Sequence, residues 1–374
     1  MKRTISFLDN SSIPKSLLSR LNEASRDGFR DEAKRFESSF SQKIGVEYTL
    51  ATSSSTAGLH LAMCALDLKR GDKVICSVNS FVDVPEVVRH FDAEPIFVDI
   101  DPKSYNMDLN RFEDILKKTK TKKLRAVIVN HMAGLSADME SISELAKKYN
   151  IKVIEDCTDA MGATFNGKPV GSSYCDLSLF NLGERFSNKF NGGVLATNHQ
   201  DYYNRATLLR EHALINQSVS ANYLYDVLDI GCDYRMSDYH GVFALAELQD
   251  VDSNNQKRAE IAKIYFRELA GLKHLKLPVE AKEHIYRHFI VEIDKNRDGF
   301  ARELKARGVE VSLHYVPLHS TKYYKEKYSL KIFEFPNSMT SYQKIMTLPN
   351  YPSLTEDDVL YICEQIKEVD SIHI

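Results

Sequence analysis

The sequence predicts an α/β protein, with a large domain built on a mostly parallel, helix-covered sheet and a smaller α/β domain after it. Three observations carry this. From about residue 30 to residue 200, segments with helical period alternate with short apolar runs of strand type, the pattern of successive βαβ units. One such run, Val153-Ile154-Glu155-Asp156, ends in two carboxylates and then small residues, as expected where a parallel strand meets the ligand crevice of an open sheet. The 374 residues are also enough for one large and one smaller domain.

In chain order, Arg30 to Ile44 and Ala57 to Leu66 read as helices. Lys73 to Ser77, Ile96 to Asp99, Ala126 to Asn130, Lys152 to Glu155 and Gly193 to Thr197 read as strands, because each is a short apolar run bounded by polar residues or glycine. The helical stretch from His240 to about Ala270 is expected to lead into the smaller domain, which gives a division into residues 1–245 and 246–374. In the second part, Tyr286 to Ile293 and Val309 to Leu313 read as strands, with Arg297 to Gly308 as a helix between them. No internal repeat or low-complexity linker interrupts the chain.

Composition narrows the function. A formal net charge of -3 gives no reason to invoke a nucleic-acid partner, and Lys117-Lys118-Thr119-Lys120-Thr121-Lys122-Lys123 reads as a solvated helix end and loop. The six cysteines, Cys64, Cys76, Cys157, Cys175, Cys232 and Cys363, are scattered without a CxxC pair, which suits free thiols in a reducing cytoplasm. His60, His131, His288, His314 and His319 are too dispersed to suggest a metal site. Met1 to Asp9 lacks a long apolar run, so neither a signal peptide nor a membrane span is expected.

The chemistry begins at Asp156. An acid at such a strand end either caps the following helix or faces a ligand; in vitamin B6 enzymes it pairs with the pyridine nitrogen, so that the ring acts as an electron sink. Neighbouring segments favour the second role. They are Ser53-Ser54-Ser55-Thr56-Ala57-Gly58-Leu59, Val78-Asn79-Ser80-Phe81-Val82, Asn130-His131-Met132-Ala133-Gly134, Tyr234-Arg235-Met236-Ser237-Asp238 and His314-Tyr315-Val316-Pro317-Leu318-His319. In this order they resemble the DegT/DnrJ/EryC1/StrS sugar aminotransferases, a family of fold type I pyridoxal phosphate enzymes, and the resemblance covers most of the chain. It implies a phosphate cradle at Ser55 and Thr56, where a helix N-terminus holds the anion. It also implies a ring stacked on Phe81, cofactor contacts from Asp156 and Asp159, a nucleotide-linked sugar as substrate, and a homodimer whose sites draw on both subunits.

The departures from the family pattern are as informative. The family's Schiff-base lysine lies roughly seven residues before the Gly192-Gly193 pair, where this chain has Glu184, Arg185 or Phe186. None of these can form the imine on which ordinary transamination depends. Lys189, three residues before Gly192, is either a displaced imine lysine or a solvated loop residue. Glu184 and Arg185 could serve as an acid/base carboxylate and an anion clamp, and His319 as a further catalytic group. Asn181 stands where the family has a phosphate-contacting serine, and Asp233 where it has an asparagine reaching the phosphate of the neighbouring subunit. A carboxylate there repels a phosphate dianion by roughly 1–4 kcal/mol.

Pyridoxal or pyridoxamine phosphate is therefore expected to be non-covalently held, if bound. The expected function is an unusual family member acting on a nucleotide-linked keto-sugar in surface polysaccharide or deoxyamino-sugar biosynthesis. The alternatives are an inactive binding or partner subunit, or a dehydratase-like enzyme that uses pyridoxamine phosphate.

Overall fold

The computed structural model describes residues 3–9, 15–119, 121–183, 191–216 and 224–373. Five apolar runs form strands β1 (Tyr48–Thr52), β2 (Lys73–Ser77), β3 (Glu94–Val98), β4 (Leu124–Asn130) and β5 (Lys152–Asp156). A small hairpin, β6 (Thr164–Phe165) and β7 (Lys168–Pro169), precedes β8 (Leu177–Leu182) and β9 (Gly192–Thr197). Apart from that hairpin, these strands make one seven-stranded sheet of order β1-β9-β8-β5-β4-β2-β3. Pairing is parallel from β8 to β3, while β9 runs antiparallel to both β8 and β1.

The sheet is buried on both faces, which explains why its strands read as nearly unbroken apolar runs. Side chains alternate across it: Val74 and Cys76 of β2, with Ala126 and Ile128 of β4, enter one core, whereas Ile75, Val127, Val129 and Val153 enter another. Helices of this region are α1 (Leu17–Arg26), α2 (Glu32–Ile44), α3 (Ser55–Ala65), α4 (Asp83–Arg89), α5 (Leu109–Lys118), α6 (Met139–Tyr149) and α7 (Gln200–Arg210). The first core takes residues from α3, α4 and α7, and the second from α5 and α6. A third core lies under α2, where Phe40 packs between Phe36 at 5.6 Å and Phe180 at 4.9 Å between ring centroids. Such aromatic pairs add about 0.5–1.5 kcal/mol each beyond the area they bury.

Beyond the hairpin β10 (Leu214–Asn216) and β11 (Tyr225–Val227), a 31-residue helix α8 (Asp238–Glu268) runs into the C-terminal part. There, β12 (Leu275–Lys276), β13 (Phe289–Ile293) and β14 (Ile345–Leu348) form an antiparallel sheet. The helices α9 (Arg297–Ala306), α10 (Lys322–Lys327), α11 (Pro336–Lys344) and α12 (Glu356–Ile372) complete the chain. Position 245, where the sequence divides the chain, falls inside α8. Leu245 and Leu248 enter the third core, while Ile261, Ala262 and Tyr265 enter a separate one around Phe289, Phe300 and Ile366. Ile5 joins that C-terminal core as well, through a bridge to Val309.

The elements differ from expectation where the backbone turns left-handed. Asp31, at φ 58°, delays the first predicted helix to Glu32. Tyr286, at φ 50°, keeps the predicted 286–293 strand from starting before Phe289. The expected strand from Val309 to Leu313 does not form, because only isolated partners lie beside it, Ile5 at Val309 and Thr347 at Ser312.

Gly193 fixes how the sheet meets α3. A Cβ at this position would lie 2.5 Å from the carbonyl carbon and oxygen of Ser54 and from the nitrogen of Ser55, so two backbones touch where a side chain would stand. Gly193→Ala is expected to cost about 1–3 kcal/mol of stability by overpacking, measured as a lower midpoint in urea unfolding.

Candidate active site at the C-terminal edge of the sheet

The C-terminal ends of β2, β4, β5 and β8 share one edge of the sheet, and the first residues of α3 follow β1 at the same edge. Asp156 ends β5 and is buried. One carboxylate oxygen accepts hydrogen bonds from the backbone N–H of Thr158 at 3.1 Å and from its hydroxyl. The other oxygen makes no hydrogen bond among the described residues, so half of the carboxylate is left to act on a ligand.

Behind Asp156, β5 is anchored by a buried pair. Glu155 Oε2 accepts from His131 Nε2 at 2.9 Å and from the Gly171 N–H at 2.8 Å. His131 Nδ1 accepts from the Ala137 N–H at 3.1 Å, so its Nε2 carries the proton toward Glu155. Cys157 lies near both, but neither nitrogen of the neutral ring keeps a lone pair for a metal.

Asp159 stands three residues beyond Asp156 and reaches the C-terminal part of the chain. Its Oδ2 accepts from the Tyr315 hydroxyl at 2.9 Å, and its Oδ1 lies 3.3 Å from His288 Nε2. The Tyr315 ring is 6.0 Å from Phe81, and the His288 ring stacks on His314 at 3.8 Å. On the other side of Asp159, a polar recess is lined by Thr158, Asn181, Glu247, Asn255 and Arg258.

At the phosphate end, α3 opens at Ser55 with Ser54 as its cap, whose hydroxyl accepts from the Ala57 N–H at 3.1 Å. The Thr56 hydroxyl turns away from that cap and donates to Asp83 Oδ2 at 3.1 Å. Asp83 is itself buried and begins α4.

A sequence profile of the DegT/DnrJ/EryC1/StrS aminotransferase family matches residues 17–367. The chain belongs to this family. It is 32% identical over 340 residues to the GDP-perosamine synthase of Escherichia coli O157:H7, covering 90% of this chain and 89% of that protein. An uncharacterised protein of Methanocaldococcus jannaschii is 31% identical over 350 residues, with 90% and 89% of the two chains covered. Among solved structures, Helicobacter pylori PseC, an aminotransferase involved in the biosynthesis of pseudoaminic acid, superposes with a TM-score of 0.88 at 19% identity, covering 99% of this chain and 100% of that one. DesV of S. venezuelae does so with 0.87 at 23%, covering 98% and 99%. The architecture is therefore that of fold type I, and the family is one of sugar aminotransferases.

The two ends of the crevice fit pyridoxal phosphate differently. At the ring end, Asp156 has a carboxylate oxygen to pair with a pyridine nitrogen, and Phe81 lies on the same edge. At the phosphate end, the Thr56 hydroxyl donates to Asp83 Oδ2, while Ser55 and Thr56 open α3, whose first turn is the part of a helix that binds anions.

The residues singled out in the sequence separate accordingly. Phe81, Asp156, Asp159 and Asn181 lie along the crevice, although the Asn181 amide donates to its neighbour Gly183 O at 3.1 Å. Ser55 and Thr56 form the start of α3 as expected. Asp233 is exposed and held by Arg235 at 2.9 and 3.1 Å, and this pairing pushes its pKa below the usual carboxylate value; within its own chain it makes no hydrogen bond to α3. Glu184, Arg185 and Lys189 lie outside the described residues.

His319 requires a correction. Its ring is fully buried against Phe335 at 5.3 Å, and neither nitrogen has a hydrogen-bond partner among the described residues. Burial pushes its pKa down, against a smaller opposing pull from Asp99. A neutral, enclosed imidazole is poorly placed to trade protons with a substrate. Sequence reasoning missed Asp83, two residues past Phe81, and the pairing of Tyr315 and His288 with Asp159. Contact between residues so far apart in the chain has no local signal.

Because the folded pKa of His319 lies below its ordinary value of 6.5, keeping it neutral favours folding fully above that pH and less as pH falls. Urea unfolding at pH 7 and pH 5 is expected to show a smaller acid-induced loss of stability for His319→Phe than for the wild type.

Proposed function

We propose that the protein acts on a nucleotide-linked keto-sugar at this edge of the sheet, without an internal aldimine, and that the step it catalyses is proton transfer on the sugar. The observation that carries this reading is the contact of Asp159 with both the Tyr315 hydroxyl at 2.9 Å and His288 Nε2 at 3.3 Å, beside Phe81. A ketone makes its neighbouring C–H bond acidic. A base removes that proton while the bonding electrons move onto the ketone oxygen, and as the ketone re-forms an acid returns a proton to the same carbon from the opposite face. The result is an isomer of the substrate, so neither oxidant nor reductant is needed.

Asp159 supplies the base. Tyr315 orients the carboxylate and is a proton donor within its reach, while His288 steadies the charge from the other oxygen. Correctly placed acid–base groups of this kind contribute about 10²–10⁴-fold to rate. The likeness to GDP-perosamine synthase supports an activated sugar as substrate and fits a place in polysaccharide or deoxyamino-sugar synthesis in the cytoplasm.

The active form in this reading is a homodimer. The hairpin β10–β11 and the loop after it leave Leu214, Tyr225, Val227, Leu228 and Ile230 exposed, Ile230 at 92%. An apolar patch of this kind suits a second copy of the chain.

The test is incubation of the full-length protein with GDP- and dTDP-linked keto-sugars in D₂O, followed by proton NMR. Loss of the C–H signal beside the ketone is expected for an accepted sugar. Asp159→Asn and Tyr315→Phe should each slow it by about 10²-fold or more. No exchange on any sugar, together with a borohydride-reduced pyridoxal phosphate adduct on Lys189, would overturn the reading.

A further inference from the structure

Given the activated sugar proposed as substrate, we infer that Asn130 and Asp156 together hold one of its hydroxyls, so that the floor of the crevice is a sugar subsite and Asn130 a specificity residue. Asn130 ends β4 and Asp156 ends β5, and the two are partners in the parallel register of these strands. Two residues earlier, Ile128 and Ile154 enter the same core. Alternation along each strand therefore puts Asn130 and Asp156 side by side on one face of the sheet.

Both side chains are buried, at 9% and 7% exposure. The Asn130 amide makes no hydrogen bond among the described residues, and its Oδ1 is fully enclosed without a partner. Buried polar groups are ordinarily paired, and an unpaired one costs stability, so this amide calls for a partner from outside the chain. Beside it, Asp156 keeps one carboxylate oxygen without a hydrogen bond. Nδ2 of Asn130 donates and the carboxylate accepts, so the two heads are complementary in what they ask of a ligand.

Spacing selects that ligand. Neighbouring strands lie about 4.8 Å apart, close to the roughly 4.6 Å between two atoms that each hydrogen-bond one oxygen at about 2.8 Å and a tetrahedral angle. A single ligand oxygen can thus receive from Nδ2 of Asn130 and give its own proton to Asp156. Among the groups of a keto-sugar only a hydroxyl does both. A ketone oxygen has no proton for the carboxylate, and a protonated pyridine nitrogen has no lone pair for the amide, which it would leave as unpaired as before. With a hydroxyl held at this floor, the ketone is free to lie toward Asp159, three residues beyond Asp156.

The full-length protein is titrated by calorimetry with GDP-mannose, with dTDP-glucose and with the forms of each that lack one sugar hydroxyl. The wild type is expected to prefer the parent sugar over one of these deoxy forms by about 30-fold or more. Asn130→Leu, similar in size but apolar, should shrink that preference about tenfold while leaving the affinity for the deoxy form unchanged. Without ligand, the variant should unfold at the same or a higher urea concentration, since a side chain that needs no partner replaces one that lacks it. Pyridoxamine 5′-phosphate, whose ring nitrogen needs Asp156 alone, should bind both proteins alike.

An unchanged hydroxyl preference in folded Asn130→Leu would overturn the inference, as would a tenfold loss of pyridoxamine 5′-phosphate binding in that variant. A variant that is destabilised or fails to fold would also overturn it, by making Asn130 a structural residue. Sugar nucleotides that bind the wild type with no preference for any hydroxyl would remove the subsite and leave the proposed substrate standing. An intact preference without proton exchange in D₂O would remove only the proton-transfer reading, and binding of neither sugar nucleotide would remove both.

Discussion

The contact of Gly193 with the Ser54–Ser55 peptide is the constraint on which the crevice depends. Because β9 runs antiparallel between β1 and β8, its first residues arrive at the edge where the parallel strands end. Without a side chain at Gly193, the start of α3 can lie directly on that strand. This sets the position of Thr56, hence the carboxylate it can reach, and the distance from α3 to Asp156 across the strand ends. A larger residue would move the start of the helix, and with it the contact of Thr56 with Asp83.

The second organising feature is that the crevice is closed by residues from distant parts of the chain. Asp159 follows β5, yet its partners are His288, just before β13, and Tyr315, beyond α9. Backbone contacts support the same junction: the His288 N–H donates to Ala133 O and the Ile285 N–H to Gly134 O. Gly134, at φ +88°, is needed there, since a Cβ would fall 2.5 Å from Ile285. The carboxylate is therefore positioned by two packed bodies at once, the kind of support that holds a functional group within a narrow range of geometry.

Much of the scaffold was legible in the sequence because burial on both sides of a parallel sheet leaves a local mark, the unbroken apolar run, at Lys73–Ser77, Ala126–Asn130 and Lys152–Glu155. The place of Asp156 at a strand end followed from the same mark. What was not legible depends on long-range approach or on single backbone angles. The left-handed turns at Asp31 and Tyr286 shift element boundaries without changing hydrophobic periodicity. Asp83 sits in a helix-compatible run, and only the folded chain brings its carboxylate onto Thr56. His319 looked like a site residue because its neighbours matched a family motif. Yet Phe335, which covers its ring, comes from a segment the motif does not include.

Helix α8 carries a consequence of its own. Its first half belongs to the core under α2, and its second half to the core around Phe289, so a single hydrogen-bonded rod is shared by two hydrophobic nuclei. Helix formation is cooperative along its length, and loss of one nucleus frays the rod that the other requires. The two parts of the chain are therefore linked in melting as well as in space, and heat or denaturant should dismantle them in one transition instead of releasing the C-terminal part first.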